Sequence, residues 1–349
     1  MNATAFRVEP ACGETENDAF LQRAGCPLVH YSSAFGRFLT RALPGAELHR
    51  LAAYEQEKLV GVLPYALQRD PTHGTVLNSL PFFGSHGGAF AESPAAQSAL
   101  HHALGRLIEK ENFASATLVE SPFQPAEASG LAAHGLEPVD DRIGQISDLP
   151  AAGDIESQLF ATFHSKTRNL VRKGQAQGQT IAAATDDAAL AWLQATHERS
   201  IRALGGVPKP LATFQQLLAE FPLGSAARLY LGSIGGRRVA GLLVLLYGTT
   251  VEYFTPVADE EFRDKQVLSH VIFHAMAELA REGFRRWNWG GTWRSQEGVY
   301  HFKSRWGAKD HVYRYFNRCD PRLRAVSRDV LASAFPFFYL YNYQTPVRP

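Results

Sequence analysis

Cysteine is scarce in this chain: Cys12, Cys26 and Cys319 are the only three among 349 residues, and none belongs to a CxxC pair. An odd thiol is left under any pairing, which excludes a disulfide scaffold or a zinc ribbon and fits a reducing compartment. Charge of one sign is missing too. Lys and Arg total 35 against 34 Asp and Glu, a formal net charge of +1. A protein that wraps nucleic acid needs a broad basic excess, so DNA is excluded as a partner and any anion must meet a local cluster. The longest purely aliphatic run, Leu242 to Leu246, falls far short of the ~20 residues of a bilayer span. The start, MNATAFRVEP, lacks the apolar segment of a secretory signal, so the expected location is the cytoplasm. There is no GxxxxGK[ST] loop and no GxSxG elbow. His270 and His274 are four apart, but Val271 stands where HExxH needs glutamate and no third ligand is evident. Neither a metal nor a redox cofactor is expected.

What the chain does contain is 45% hydrophobic residues and enough length for two ordinary domains. RLYLGSI, Gly235-Gly236 and RVAGLLVLLY read as a hairpin whose turn wants positive φ at both glycines. TVEYFTPV supplies a third strand. Val267, Leu268, Val271, Ile272, Met276 and Leu279 then recur at helical spacing up to Gly283, and RRWNWGG closes as a short strand. The first half repeats this order: LHRLAAY and LVGVLPYAL form a hairpin, TVLNSLPFF follows, Leu100 to Ile108 line one helical face, and ATLVES closes. Gly61 aligns with Gly241. A repeat on this scale is a duplicated domain, since solenoid units run about 20–50 residues. The expected class is α+β, each copy a mainly antiparallel sheet flanked by helices. The boundaries fall at 1–150, 151–320 and a tail over 321–349. The second copy opens with one helix over about 155–173, its face made by Leu159, Phe160, Phe163, Leu170 and Val171, and a second helix follows from Asp187 to Leu204. In the tail, a basic helix precedes the aromatic run FPFFYLYNY, where membrane contact is a minor alternative to packing on the domains.

Two cationic clusters stand out. Lys166, Arg168, Arg172 and Lys173 crowd HSKTRNLVRK with no carboxylate between them, and Arg168 and Arg172 share a helical face. This is either a solvated basic face at a helix C-terminus or an anion site. Lys303, Arg305 and Lys309 form the second cluster, in a Trp- and Gly-rich loop. Guanidinium forks suit phosphate oxygens, so the pair of clusters fits a phosphate-bearing small molecule or a lipid-linked acceptor. Lys303, between Phe302 and Trp306, reads as semi-buried, where desolvation favours its neutral form. Gly87 and Gly88, beside His86, allow a backbone to approach a ligand closely, or simply make a turn.

NSLPFFGSHGGAF, SKTRNLVRKG, FRRWNWGGT and GVYHFKSRWGA, the last the most specific, resemble segments of the FemAB-like group of tandem GNAT acyltransferases. The likeness covers most of residues 30 to 318. It implies two tandem GNAT-like domains and an N-acyltransferase that moves an aminoacyl or acyl group to an amine on a cell-wall, sugar or polysaccharide-related acceptor. It further implies that Lys303 steadies the donor or the developing oxyanion. Glu252 would lie on the cleft-lining strand as general base, with Tyr253 as an alternative acid. Arg168, Arg172, Lys173, Arg305, Trp289, Phe302, Trp306, His86, Gly87 and Gly88 would contact substrate in a groove between the two copies. A CoA-using GNAT holds pyrophosphate on a basic, glycine-containing turn at a helix start. Here that turn is Arg263 to Leu268, where Gln266 and Leu268 replace the small residues. This favours an aminoacyl-tRNA donor over acyl-CoA, while near-zero net charge gives little long-range attraction for tRNA. An acetyl-CoA-dependent N-acetyltransferase and a non-catalytic polymer-binding scaffold are the rival readings.

Overall fold

The computed structural model describes residues 6–80, 87–125 and 128–340. The chain divides into two compact units, one made of residues 1–144, 291–295 and 311–349, the other of 145–290 and 296–310. This differs from contiguous segments 1–150, 151–320 and 321–349. The chain changes unit at residues 144/145, 290/291, 295/296 and 310/311, and all but the third of these lie within strands, which a sequence reading does not take for linkers.

In the first unit, β1 (Arg7–Glu9), α1 (Glu14–Arg23) and α2 (Ser33–Ala42) precede the hairpin of β2 (Glu47–Glu55) and β3 (Lys58–Asp70). Then come β4 (Gly74–Asn78), β5 (Phe90–Ala91), α3 (Pro94–Glu111), β6 (Ser115–Val119), α4 (Ala128–Ala132) and the start of β7 (Glu137–Asp148). The helix α3 starts cleanly: Ser93 Oγ accepts from Ala96 N–H at 3.2 Å, and Pro94 occupies the first turn, where its missing N–H costs nothing. β2 and β3 pair antiparallel with Leu51 opposite Leu63, whereas β4 and β6 run parallel. Leu63, Tyr65, Leu77, Leu100, Leu104 and Ile108 form the core between sheet and α3.

The second unit repeats the order. After α5 (Ile155–Thr162), α6 (Ser165–Gln175), β8 (Thr180–Ala184), α7 (Asp187–Ala203) and α8 (Leu211–Glu220) come β9 (Ala227–Ile234), β10 (Arg237–Tyr247) and β11 (Thr250–Ala258). Then follow α9 (Val267–Arg281), β12 (Arg286–Trp293), α10 (Glu297–Ser304) and the start of β13 (Lys309–Cys319), most of which belongs to the first unit. The unit's strand order is β12-β11-β10-β9-β8, antiparallel except that β11 and β12 are parallel. Hairpin, third strand, helix and parallel strand thus occur in both units, a duplicated α+β arrangement. The β9–β10 turn has φ of +56° at Gly235 and +80° at Gly236, as the primed turn requires.

Several details depart from the sequence reading. The helix expected over 155–173 is two helices, because Phe163 is extended and His164 Nδ1 accepts from Lys166 N–H at 3.1 Å to cap the second. Leu170 is exposed rather than inward. A side chain on Gly61 would meet Leu100 of α3 at 3.0 Å, whereas one on Gly241 would meet Trp192 of α7 at 3.0 Å. The two glycines face different helix layers, so the repeat aligns one residue away. β8 was not foreseen. In the tail, α11 (Pro321–Arg324) and α12 (Arg328–Ala334) lead to Phe335, Phe338 and Leu340, all buried. Tyr339 is tied down by Asn78, whose Nδ2 donates to its carbonyl at 3.0 Å. Among the described residues no helix is long and apolar enough to cross a membrane.

Candidate functional site

β11 and β12 place one polar pair among buried aromatics. Their parallel register sets Val251 opposite Trp287 and Glu252 opposite Asn288. Alternation sends Tyr253, Trp287 and Trp289 to the face packed by α10, and Glu252 and Asn288 to the other. The Tyr253 ring lies 4.8 Å from Trp289 and 6.1 Å from Trp287, and desolvation raises its phenol well above the ordinary range. Tyr253 therefore stays protonated and sits across the sheet from Glu252.

Asn288 Nδ2 donates to Glu252 Oε2 at 2.7 Å, and Asn288 Oδ1 accepts from Gly290 N–H at 3.0 Å. The second bond fixes which end of the amide faces the carboxyl group. Gly290 has φ of +73°, which favours glycine, and its carbonyl accepts from Lys303 Nζ at 3.4 Å. Lys303 stands on α10, a helix rather than the loop expected from sequence. The helix is anchored by aromatics: Trp306 packs 5.0 Å from Phe163 and 5.7 Å from Trp289, and Phe302 lies 6.0 Å from Trp289. Ser147 Oγ donates to the Trp306 carbonyl at 3.0 Å and accepts from Trp289 Nε1 at 2.9 Å, fixing the Trp289 ring and the Trp306 backbone. Trp289, Phe302 and Trp306 are thus packing partners that set the position of Lys303.

Glu252 and Lys303 are only 8% and 7% exposed. Burial pushes the Glu252 carboxyl up to about 8, against the pull of Asn288 and Lys303. Burial brings the Lys303 ammonium down to about 8, against the pull of Glu252. Each is therefore close to exchanging a proton near neutral pH, the condition acid–base chemistry needs.

The other candidates lie elsewhere. Arg168 Nη1 donates to the Phe163 and Phe160 carbonyls at 2.6 and 3.4 Å, closing the end of α5. Arg172 is exposed and sits 5.4 Å from the Phe160 ring centre, and Lys173 is exposed. Arg305 is half-buried at the end of α10, and its carbonyl accepts from His164 N–H at 2.9 Å, bringing the start of α6 to that end. Lys309 pairs with Asp148 at 2.5 Å. In the first unit, side chains on Gly87 or Gly88 would lie 3.0 Å from the Val119 carbonyl, so those glycines serve close packing. His86 lies outside the described residues. Arg263 is exposed and pairs with Glu260 at 3.0 Å. Gln266 has φ of +60°; its Nε2 donates to the Arg263 carbonyl at 2.9 Å and its Oε1 accepts from Ser269 Oγ at 3.2 Å. The amide thus bridges the turn before α9 with the protein's own atoms.

Asn288 and Gly290 were missed as site residues, although a polar residue between Trp287 and Trp289 on a strand paired to VEY was a usable signal. Lys209 was missed as well: its Nζ lies 5.2 Å from the ring centre of Phe254, two residues beyond Glu252, and burial lowers its ammonium to about 8.

Residues 161–304 match the family model described as an acetyltransferase (GNAT) domain. This segment is a GNAT acyltransferase domain. It contains Glu252, Asn288, Gly290 and Lys303, and the match supports an acyltransferase. No curated protein matches the sequence. Among solved structures, FemX has 13% identity and a TM-score of 0.69, over 94% of this chain and 99% of its own. A tandem GNAT protein from the clavulanic acid biosynthesis pathway has 13% identity and a TM-score of 0.53, over 90% and 98%. The C-terminal domain of a protein described as a lysylphosphatidylglycerol synthetase, from Agrobacterium fabrum, has 13% identity and a TM-score of 0.55, over 90% and 96%. At such identities the shared property is the fold, here with both GNAT-like copies covered.

Proposed function

We propose that the GNAT domain transfers an aminoacyl group from an ester donor of the aminoacyl-tRNA kind to an amine on a phosphate-bearing or lipid-linked acceptor of the cell-wall or polysaccharide class. The observation that carries this reading is the buried Glu252 held by Asn288 within electrostatic reach of buried Lys303. The acceptor nitrogen attacks the ester carbonyl and gives its proton to the Glu252 carboxylate, and the new C–N bond forms as the carbonyl oxygen becomes an oxyanion. The Lys303 ammonium offsets that charge in a water-poor setting, where it counts most. The intermediate then expels the ribose oxygen, which takes the proton back from Glu252. Positioning of ester and amine supplies much of the remaining acceleration.

Two features support an ester donor over acyl-CoA. The Gln266 amide fills the turn where pyrophosphate would need bare backbone N–H groups. The α6 backbone also lies against that turn, since a side chain on Gly174 would come within 2.6 Å of the Gln266 carbonyl oxygen. The likeness to FemX and to the synthetase domain supports aminoacyl chemistry in the same direction. Arg172, Lys173 and Arg305 are the cations available to an acceptor phosphate. The match to an acetyltransferase family favours the second reading, acetyl-CoA-dependent N-acetylation.

The test supplies the protein with [14C]aminoacyl-tRNA or [14C]acetyl-CoA and an amine-containing cell extract. Label entering an extract amine from the tRNA pool, and lost in Lys303→Met, supports the reading. Label from acetyl-CoA alone supports the second reading, and label from neither, with polymer binding retained, supports a scaffold.

A further inference from the structure

The first unit holds a cavity of about 290 Å³, lined by Cys12, Glu14, Gly36, Arg37 and Thr40 around Arg50 of β2. The Arg50 Nε is buried and has no hydrogen-bond partner among the described residues, and among them Arg50 forms no ion pair. The other charges at this place are already matched. Glu14 pairs with Arg37, and His49 lies 3.6 Å from Glu47. Glu16 accepts from Tyr54 Oη at 3.0 Å, and Asp18 accepts from Ser33 N–H at 2.9 Å. Buried His30 has its pKa lowered to about 4 and is neutral. Arg50 interacts with the Cys12 thiol, which burial raises and the guanidinium pulls down. A thiol is a weak acceptor, so this contact gives Arg50 no anion.

A buried guanidinium N–H without an acceptor is costly, and a planar fork is suited to two oxygens of one acid group. We propose that this cavity binds a small ligand, or the end of a larger one, through a phosphate or carboxylate group seated on Arg50. Its size is at the lower limit of ligand pockets, ~300 Å³, which fits one acid group and a few attached atoms.

Cys12 reports on the site directly. It lines the cavity and is partly exposed, whereas Cys26 and Cys319 are buried. The experiment measures Cys12 alkylation by iodoacetamide, read by peptide mass, in sodium phosphate, sodium acetate or sodium chloride at matched ionic strength. The expected result is saturable slowing by phosphate or acetate relative to chloride, about tenfold at ten times Kd. Protection by phosphate assigns a phosphorylated ligand, and protection by acetate alone assigns a carboxylate. Arg50→Gln abolishes it. So does Gly36→Asp, where the new side chain enters open space, with nothing within 4 Å of its Cβ, and supplies the carboxylate itself. Equal rates in all three salts, or protection that persists in both variants, overturns the proposal. The readout requires no acyl transfer, so its failure is separable from that of the proposed activity.

Discussion

Asn288 and Glu252 sit directly opposite each other on parallel strands, and the amide of the first donates to the carboxyl of the second at 2.7 Å. The bond opposes the effect of burial, because it favours the ionised carboxylate that burial disfavours. Asn288 is thus a positioning residue with an electrostatic consequence.

That consequence is measurable in the pH dependence of transfer. Glu252 must be ionised to take a proton and Lys303 must be charged to offset an oxyanion. With both near 8, the rate is expected to rise and then fall around that pH in a narrow bell. Asn288→Ala removes a bond that lowers the Glu252 pKa, so the rising limb moves to higher pH. A merely structural role for Asn288 would lower the rate without moving the limb.

Stability carries the same signature. The folded-state pKa of Glu252, about 8, stands above its ordinary 4.5, so between those values the folded chain holds a proton that the unfolded chain releases. Stability contributed by this group therefore falls as pH rises through that window. Lys303, lowered from 10.5 to about 8, acts in the opposite sense between those two values. Glu252→Gln keeps the shape and cannot ionise. Denaturant titration at pH 8 should find it more stable than the wild type by up to ~4 kcal/mol, with the difference vanishing near pH 4.

Packing of α6 on α9 gives a third expectation. A Cβ at position 174 would meet the Gln266 carbonyl oxygen at 2.6 Å and the His270 Cβ at 3.0 Å. Gly174→Ala should cost ~1–3 kcal/mol in chemical denaturation, because neither backbone has room to retreat.

Donor choice gives a fourth. Calorimetry of the wild type with acetyl-CoA should show no saturable heat, and Gln266→Gly with Leu268→Ala should leave the turn open enough to gain weak binding. Gln266 already has φ of +60°, so glycine there relieves strain. Micromolar binding by the wild type would contradict the ester-donor reading.

Much of the fold was readable because its signals are local. The Gly235-Gly236 turn, the stripe along α9 and the repeated strand–helix order need only neighbours in sequence. The change of unit within strands, the break at Phe163–His164 and the short edge strand β8 depend on contacts distant in the chain, such as His164 N–H with the Arg305 carbonyl. At the site, Lys303 stood out as a charge between Phe302 and Trp306, whereas Glu252 was singled out by the family resemblance. The work done by Arg168, whose guanidinium closes α5, could not be read from spacing, because it depends on where the α5–α6 break falls.

The most direct test is the single-turnover transfer rate, with whichever labelled donor the wild type consumes, for wild type, Glu252→Gln and Lys303→Met. Far-UV circular dichroism confirms that each variant is folded. The account predicts that both variants lose about 10²–10⁴ in rate. Rates equal to wild type in either folded variant would contradict it.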